Sequence, residues 1–356
     1  RRFAATISVS SFPAARWPTG EQGDTGKERP LVRLALYLRP WPNEMWTLGA
    51  QLGVSDAVTG IPPTGPGATR TWDLLSLIRL RQAFADAGLN ATVIEDSPPM
   101  EQIRLGKPGR DAEFEGIAEF ITNMGAAGFR VWCYNWMAAM NWLRTSITTL
   151  DRGRALISSY DHALMKNAPL TTTGVVTEEQ LWDSYTWFIE RIVPIAKAAN
   201  VNLALHPDDP PLSPIRGVAR IMRSVENFDR ALSLHADPCH GMTFCQGNIR
   251  LMTNDLPGTI RHFGATGRVH FVHFRDVRGT VENFRETFHD DGPADMLEAM
   301  ACYHEFGFDG PMRPDHVPTL EGDVNDPPGY TIRGRLYAIG YMRGLLEAVE
   351  SGRYRA

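Results

Sequence analysis

The sequence contains little cysteine, no long apolar run and no cluster of basic residues. Four cysteines in 356 residues are too few for a disulfide framework, which indicates a reducing compartment, and we expect the cytoplasm. No stretch of about 18 apolar residues predicts a membrane span. The 36 Lys and Arg residues are scattered and are outnumbered by 41 Asp and Glu residues. We therefore expect neither nucleic acid nor an anionic membrane surface as a partner, and we expect a small molecule instead.

Short apolar runs that alternate with helical segments are the main pattern of the chain. Hydrophobic residues make up 43% of the sequence, enough for one large core. Eight short runs are separated by longer segments with helical apolar spacing, which is typical of a parallel sheet. Eight such units at this length predict an α/β fold, a (β/α)8 TIM barrel. The predicted strands are 32–38, 53–59, 91–95, 129–134, 201–205, 241–245, 268–274 and 310–313.

The predicted helices are marked by their ends as well as by their periodicity. Thr177 precedes two glutamates as a helix N-cap, and glycines end three helical patterns just before a strand. The sixth strand is ambiguous, because 231–236 also has strand character. We favour a capped helix over 224–235 followed by a strand over 241–245. The other predicted helices are 72–87, 111–127, 178–199, 295–306 and 331–350.

Two segments do not follow the barrel repeat. Residues 1–30 are rich in Gly, Pro, Ser and charge and predict a loose N-terminal arm. The segment 141–177 is long for a connection between a strand and a helix, so we expect it to form extra helices over the barrel mouth. Residues 31–356 are then expected to form a single barrel domain.

Good metal ligands follow four consecutive predicted strands, at His206, Cys245, His273 and Asp315. Catalytic groups of TIM barrels lie at the carboxyl ends of the strands, so these side chains should converge. A thiolate, two imidazoles and a carboxylate suit Mn²⁺, Fe²⁺, Co²⁺ or Zn²⁺ better than Mg²⁺ or Ca²⁺. His270 competes with His273, but alternate strand positions face opposite ways and the residue nearer the strand end is favoured. Each ligand taken alone also has a structural explanation, as a buried thiol, a turn residue or a cap.

Around these ligands the chain resembles the mannonate dehydratase family of sugar-acid dehydratases, which have a xylose-isomerase-like TIM barrel. The resemblance extends from about Ala91 over most of the chain, and the His-Pro-Asp-Asp-Pro-Pro and Arg-Pro-Asp-His segments are its most specific parts. Where the family has Pro-Val-His-Glu after the third strand, this chain has the segment 96–101. The segments that carry the resemblance are 93–95, 133–136, 141–145, 206–211, 241–245, 271–275, 313–316 and 328–330.

The resemblance implies a reaction and roles for individual residues. The reaction is loss of water from a sugar acid such as D-mannonate, giving a 2-keto-3-deoxy acid. His316 and Tyr330 would serve in proton transfer, and the pKa of an unperturbed histidine suits a general acid or base at neutral pH. The implied ligands of one Mn²⁺ or Fe²⁺ ion are His206, Cys245, His273 and Asp315.

Further residues near the predicted strand ends are candidates for contact with the substrate. Arg275 is a candidate catalytic residue that would clamp the substrate carboxylate bidentately; an ion pair with Asp208, Asp209 or Asp276 is an equal alternative. Polar residues of the mouth would hydrogen-bond sugar hydroxyls or form a polar barrel plug, and His289 alternatively orients a ligand. The candidate substrate-binding residues are Glu95, Tyr134, Asn135, Asp208 and His289.

The fold permits other functions for the same residues. A metal-dependent sugar isomerase, an epimerase or a lyase acting on another polyhydroxylated compound is the first alternative, and product analysis separates it from a dehydratase. A non-catalytic protein that retains an old site is the second, and a metal-free purified protein would favour it. Barrels of this kind often pair, so we expect a homo-oligomer, either a dimer or a tetramer.

Overall fold

Twelve short strands and eleven helices alternate in the computed structural model, which describes residues 32–352. The strands are β1 (Arg33–Leu38), β2 (Asp56–Thr59), β3 (Asn90–Ile94), β4 (Val131–Asn135), β5 (Ser146–Leu150), β6 (Leu156–Asp161), β7 (Asn202–His206), β8 (His240–Cys245), β9 (Val269–Phe274), β10 (Val277–Thr280), β11 (Asn283–Glu286) and β12 (Pro311–Pro314). The helices are α1 (Glu44–Gln51), α2 (Leu74–Asp86), α3 (Glu101–Arg104), α4 (Arg110–Ala127), α5 (His162–Met165), α6 (Glu178–Ala199), α7 (Val225–Ser233), α8 (Gln246–Met252), α9 (Leu256–Gly264), α10 (Met296–Glu305) and α11 (Ile332–Glu350).

Eight of these strands close into a parallel barrel. Around the barrel the order is β1, β2, β3, β4, β7, β8, β9 and β12, and β12 pairs with β1 to close the ring. Each of the eight predicted strands coincides with one of them to within about three residues at either end, so the TIM barrel is confirmed. The sixth barrel strand is β8, preceded by α7 with Ser224 as its N-cap, as we favoured over a strand at 231–236.

Small and branched side chains fill the barrel interior, and larger ones fill the layer between the strands and the helices. The interior cluster consists of Ala35, Val58, Val93, Val131, Cys133, Ala204 and Phe271. Because these side chains are short at most positions, the eight strands can approach one axis. The larger outer cluster joins the strands to helices such as α4 and α6. Burial of each large apolar side chain there contributes about 1.5–3 kcal/mol.

The helix ends follow the local signals in the sequence. Thr177 and Gln180 form a complete capping box at the start of α6, which satisfies two otherwise unpaired backbone N–H groups. Gly128 ends α4 in the left-handed conformation, with φ 94°, and leads directly into β4. These ends fix where the neighbouring strands begin and therefore which residues reach the barrel rim.

The insertion between β4 and α6 was predicted wrongly as helical. Within 141–177 the helical elements are α5, with four residues, and a three-residue 3-10 turn at Arg152–Arg154. Instead β5 and β6 join β10 and β11 in a four-stranded antiparallel sheet of order β10-β11-β6-β5, which we call the cap sheet. Its strands 146–150 and 156–161 carry many β-branched and aromatic side chains, but β6 needs the remote β11 as a partner. This pairing has no local signal, because it joins segments more than a hundred residues apart in the sequence.

The predicted N-terminal arm, 1–30, lies outside the described residues. Residues 32–352 fall within one unit of the chain by their contacts. Among them, each helix is either too short or too polar to cross a lipid bilayer.

Candidate metal centre and active-site cavity

A cavity of about 690 Å³ opens at the carboxyl ends of the barrel strands. This is the end at which TIM barrels carry their catalytic groups. The side chains of its wall come from several strands and from the segments that follow them. They include Tyr37, Glu95, Arg104, Tyr134, Asn135, Trp142, His206, Asp209, His273, Arg313, Asp315, His316 and Tyr330.

Three of the four predicted metal ligands meet beside this cavity. One ligand atom each of His206, Cys245 and His273 lies within 4.8 Å of the other two, and His206 Nε2 is 3.2 Å from His273 Nδ1. Asp315 Oδ2 lies 3.6 Å from His273 Nδ1 and 3.9 Å from Cys245 Sγ. His270 points elsewhere, with its Nε2 3.0 Å from the Pro238 carbonyl. The preference for His273 over His270 is therefore confirmed.

The geometry of these donors fits one divalent cation. Two ligands about 2.1 Å from an ion lie roughly 3.0–3.4 Å apart at octahedral or tetrahedral angles, and a sulfur ligand lies farther out. Nδ1 of His206 donates to the Pro207 carbonyl at 2.7 Å, which leaves Nε2 free to act as a ligand. Burial lowers the pKa of His206 and so favours the neutral imidazole that binds metals.

Asp315 is held as an anion by its neighbours. Burial alone would raise its pKa, but the charges of His316, Arg313, His273 and Arg275 outweigh burial and keep the pKa well below its usual range. Arg313 Nη1 lies 2.9 Å from Asp315 Oδ1, and Arg275 Nε lies 2.9 Å from Oδ2. A carboxylate that stays ionised is the form that a metal site requires.

Glu95 lies directly behind His273. Its Oε1 is 3.3 Å from His273 Nε2, out of line for a hydrogen bond. Arg313 binds both Glu95 oxygens, at 2.7 and 3.0 Å. Burial would raise the pKa of Glu95, but Arg313 and His273 lower it to about 2. The negative charge of Glu95 so close to Nε2 favours a proton on that nitrogen, which leaves Nδ1, on the side of His206 and Asp315, as the atom that could bind an ion.

His316 follows Asp315 in the left-handed backbone conformation, with φ 44°. This conformation is uncommon for a residue with a side chain, and it turns the imidazole into the cavity. Gly329 makes the turn possible, because a Cβ there would lie 3.2 Å from the His316 Cα. The rings of Trp142 and Tyr330 pack against the imidazole at centroid distances of 5.3 and 5.7 Å.

The Nδ1 atom of His316 lies 2.9 Å from Glu286 Oε1. A carboxylate only accepts hydrogen bonds, so Nδ1 carries the proton and Nε2 has a free lone pair. Arg144 Nη2 lies 3.2 Å from the same Nδ1, but a guanidinium only donates hydrogen bonds and cannot accept the Nδ1 proton. Glu286 therefore fixes the tautomer of His316 that can accept a proton from a substrate.

Glu286 belongs to a buried ion-pair cluster formed by Arg144, Asp209, Arg275 and Glu286. Arg275 Nη1 lies 2.7 Å from Glu286, and its Nη2 lies 3.1 Å from Asp209. Arg144 binds Asp209 and Glu286 at 2.5 and 2.6 Å. Burial would raise the pKa of Glu286, but Arg275, His316 and Arg144 hold it at about 2. The cluster joins the cap sheet to the barrel rim.

Several sequence-predicted residues do not line the cavity. Arg275 is committed to the ion-pair cluster, which favours the ion-pair alternative; of the three predicted partners it pairs with Asp209, and it also pairs with Glu286 and Asp315. Asp208 turns away and accepts from the Met222 backbone N–H at 2.7 Å. His289 is buried, with its Nε2 2.8 Å from the Phe274 carbonyl.

Three other predicted residues do line the cavity. The Tyr330 hydroxyl donates to Asp315 Oδ1 at 2.8 Å, and burial with the Asp315 charge raises its pKa well above the usual value. The side chain of Asn135 lies beside Arg104. Tyr134 also borders the cavity, although its hydroxyl contacts Tyr185 at 3.3 Å.

The polar residues of the site that sequence reasoning missed as functional candidates include Arg104 of the cavity wall and four residues around His316 and Asp315: Glu286, Arg144, Asp209 and Arg313. The last three lie in segments that carry the family resemblance, and that was the signal available for them. Glu286 had none, because it lies at the end of β11 in the cap sheet.

A xylose-isomerase-like TIM barrel with histidine, cysteine and aspartate side chains gathered at its rim defines the class of this enzyme. The solved structure of L-ribulose 3-epimerase shares the fold, with a TM-score of 0.60 at 13% identity over 90% of this chain and 97% of that one. The family model for D-mannonate dehydratase (UxuA) matches residues 48–173 and 168–355. The chain therefore belongs to the D-mannonate dehydratase family, a family of hydro-lyases.

Individual relatives agree with this membership. Mannonate dehydratase 2 of Halalkalibacterium halodurans is 34% identical over 327 residues, which cover 84% of this chain and 93% of the relative. Mannonate dehydratase of Thermotoga maritima is 33% identical over 338 residues, covering 85% and 92%. The crystal structure of mannonate dehydratase from Streptococcus suis serotype 2 has a TM-score of 0.82 at 30% identity, covering 90% of this chain and 94% of that one.

Proposed function

We propose that this enzyme removes water from D-mannonate or a closely related aldonate and releases a 2-keto-3-deoxy acid. The observation that carries the proposal is the convergence of the four metal donors with His316 and Tyr330 at one cavity, in a chain of this family. Sugar hydroxyls would contact the polar wall, where Glu95, Tyr134 and Asn135 lie.

The ion proposed for this site is Mn²⁺ or Fe²⁺, held by His206, Cys245, His273 and Asp315. When bound, a divalent cation supplies Lewis-acid stabilisation of the negative charge that develops next to the substrate carboxylate. The thiolate and imidazole donors disfavour Mg²⁺ and Ca²⁺. Glu95 and Arg313 contribute by fixing His273 and Asp315 from behind.

Proton removal is proposed for His316. Its Nε2 lone pair faces the cavity, while Glu286 holds the proton on Nδ1. His316 would take the proton from the carbon next to the substrate carboxylate. Glu286 then stabilises the imidazolium that results, because its carboxylate is ionised and already in hydrogen-bond contact.

Proton donation to the departing hydroxyl is proposed for Tyr330. A raised pKa keeps its hydroxyl protonated, and the hydrogen bond to Asp315 holds the hydroxyl at the cavity wall. The proton would turn from Asp315 to the departing hydroxyl of the substrate. Loss of the substrate hydroxyl as water, with the proton from Tyr330, leaves an enol of the sugar acid. The enol converts to the 2-keto-3-deoxy acid by moving one proton from oxygen to carbon.

A screen of aldonates and uronates with the Mn²⁺- or Fe²⁺-supplemented protein tests this proposal. Mass spectrometry of the products should show loss of one water from D-mannonate or a close stereoisomer. Products of unchanged mass with altered stereochemistry would instead identify an isomerase or epimerase. If no sugar acid loses water with either ion, the dehydratase proposal is wrong.

A further inference from the structure

One guanidinium of the cavity wall, that of Arg104, donates its hydrogen bonds within residues 32–352 to neutral oxygens. In the described part of the chain, Arg104 and Arg313 are the two arginines that line the cavity. Arg313 is neutralised by carboxylates, with Nη2 2.7 Å from Glu95 and Nη1 2.9 Å from Asp315. Arg104 instead donates through Nη2 to the backbone carbonyl and side-chain oxygen of Asn135, at 3.1 and 3.3 Å.

Glu101 is the acidic neighbour with the largest effect on Arg104, ahead of Glu113 and Asp208, and it neutralises the arginine only in part. Its carboxylate lies 3.6 Å from Arg104 Nη1, beyond ordinary hydrogen-bond distance. One oxygen of Glu101 already accepts from the Ala139 backbone N–H at 2.6 Å. The Arg104 side chain is 14% exposed, and a buried cation with little counter-charge is costly.

Arg220 shows that a buried arginine with little counter-charge can also have a purely structural role. It is buried as well, and its guanidinium contacts the backbone carbonyls of Asp209, Met140 and Asn141. Arg220 does not line the cavity, and it ties the segment after β4 to the segment after β7. Arg104 differs because it lines the space where the substrate is proposed to bind.

Arg104 is fixed at the same rim as the metal donors. It ends α3, and its partner Asn135 ends β4, where Asn135 lies in register with His206 of β7. A guanidinium has a planar set of donors that matches a carboxylate bidentately. We propose that Arg104 binds the carboxylate of the sugar acid and so selects anionic over neutral sugar derivatives. This inference rests on the proposed function, which supplies the sugar acid.

A binding experiment measures this selectivity without turnover. D-Mannonate and its neutral amide, D-mannonamide, are titrated into the Mn²⁺-loaded protein. Binding is followed by calorimetry or by the fluorescence of Trp142 and its neighbours. Turnover is prevented by carrying every variant in the His316→Asn background. The quantity of interest is the ratio of the two dissociation constants. In Arg104→Gln the preference for the acid should fall roughly 10- to 100-fold, the range of a charge-assisted bidentate contact.

Two further variants make the test specific. Arg104→Lys keeps the charge but loses the planar fork, so the preference should be restored only in part. Glu101→Gln keeps an oxygen that accepts from Ala139 but removes the partial counter-charge, so the preference for the acid should rise a few-fold. If Arg104 only ties α3 to β4, there is no reason for the preference to fall in Arg104→Gln and to rise in Glu101→Gln.

The outcomes separate this inference from the proposed function. An unchanged ratio in Arg104→Gln and Arg104→Lys, with both ligands weakened equally or not at all, overturns the role of Arg104. If Arg104→Gln does not fold, the ratio in Arg104→Lys and Glu101→Gln decides in the same way. Absence of water loss in the unaltered protein, with a ratio that still depends on Arg104, would overturn the dehydratase proposal and retain the carboxylate site.

Discussion

The barrel rim and the cap sheet supply different parts of the site. The rim carries the four proposed metal donors, each at or just beyond the end of a barrel strand. The cap sheet carries Glu286, which sets the tautomer of His316, and Arg144 just before β5 pairs with it. Rim residues are thus placed to hold the ion, and cap residues are placed to orient the group that moves protons. The comparison teaches that one cavity is assembled from two regions with separable tasks, and variants can test that separation.

Replacement of His316 should have the largest effect on turnover. In His316→Asn the proton acceptor is lost, and kcat should fall by up to about 10,000-fold. Asparagine tolerates the left-handed backbone that position 316 requires, so the fold and the ion content should persist. Steady-state kinetics with metal analysis by mass spectrometry checks both. Survival of activity would show that another group moves the proton.

Replacement of a rim ligand should remove the ion as well as activity. In Cys245→Ser the soft thiolate is lost, and affinity for Mn²⁺ or Fe²⁺ should fall at least about 100-fold, with kcat/KM falling alongside. Cys302→Ser is a matched control, because Cys302 is also a buried thiol but lies on α10, away from the site. Equal ion content in the two variants would contradict the assignment of Cys245.

Replacement of Glu286 should reduce turnover and leave the ion in place. Glu286→Gln should lower kcat roughly 10- to 100-fold with a smaller change in KM, because the imidazolium loses its carboxylate. Asp209→Asn is the matched comparison, since Asp209 pairs with Arg144 and Arg275 as Glu286 does but does not bind His316 Nδ1. A loss of kcat in Asp209→Asn as large as in Glu286→Gln would mean that the ion pairs matter, rather than the contact with His316.

His289, in the segment that leads from the cap sheet back to the barrel, should make the stability of the protein sensitive to mild acid. Burial lowers the pKa of His289 from 6.5 to about 4, and no group within residues 32–352 is in place to accept a hydrogen bond from a second proton added on Nδ1. The unfolded chain therefore binds a proton at a higher pH than the folded chain, so stability is complete above pH 6.5 and declines as the pH falls towards 4. The decline from this residue should be about 3 kcal/mol. Denaturant unfolding across this pH range should show a smaller decline in His289→Gln; parallel curves would contradict the buried neutral state.

The metal donors could be predicted because each has a local signal. An apolar run predicts a strand, and in a parallel barrel all strand ends meet at one rim, so His206, Cys245 and His273 could be placed together without coordinates. Strand alternation also separated His273 from His270. The choice between Asp208 and Asp209 could not be made in this way, because both residues follow the end of the strand. There the conformation of the turn, rather than the alternation of side chains along a strand, decides which carboxylate faces the cavity.

The cap sheet could not be predicted for a different reason. The pairing of β6 with β11 joins Tyr160 to Phe284, and neither segment has a stable partner near it in the sequence. A long insertion over a barrel mouth suggested helices, since helices need only local hydrogen bonds. Glu286 was missed for the same reason, because its position beside His316 exists only once the sheet has formed.

The sequence by itself determined the barrel, the order of its strands and which histidine, cysteine and aspartate side chains come to the strand ends at its rim. These properties follow from the periodicity of apolar residues, the spacing of the motifs and the chemistry of single side chains, all of which can be read over a few neighbouring residues. Only the tertiary structure decided that Arg275 is bound to carboxylates, that Glu286 holds His316 and that the guanidinium of Arg104 hydrogen-bonds neutral oxygens while its nearest carboxylate stays beyond hydrogen-bond distance. Those properties depend on which charges are buried against each other, and burial is set by contacts between segments far apart in the chain.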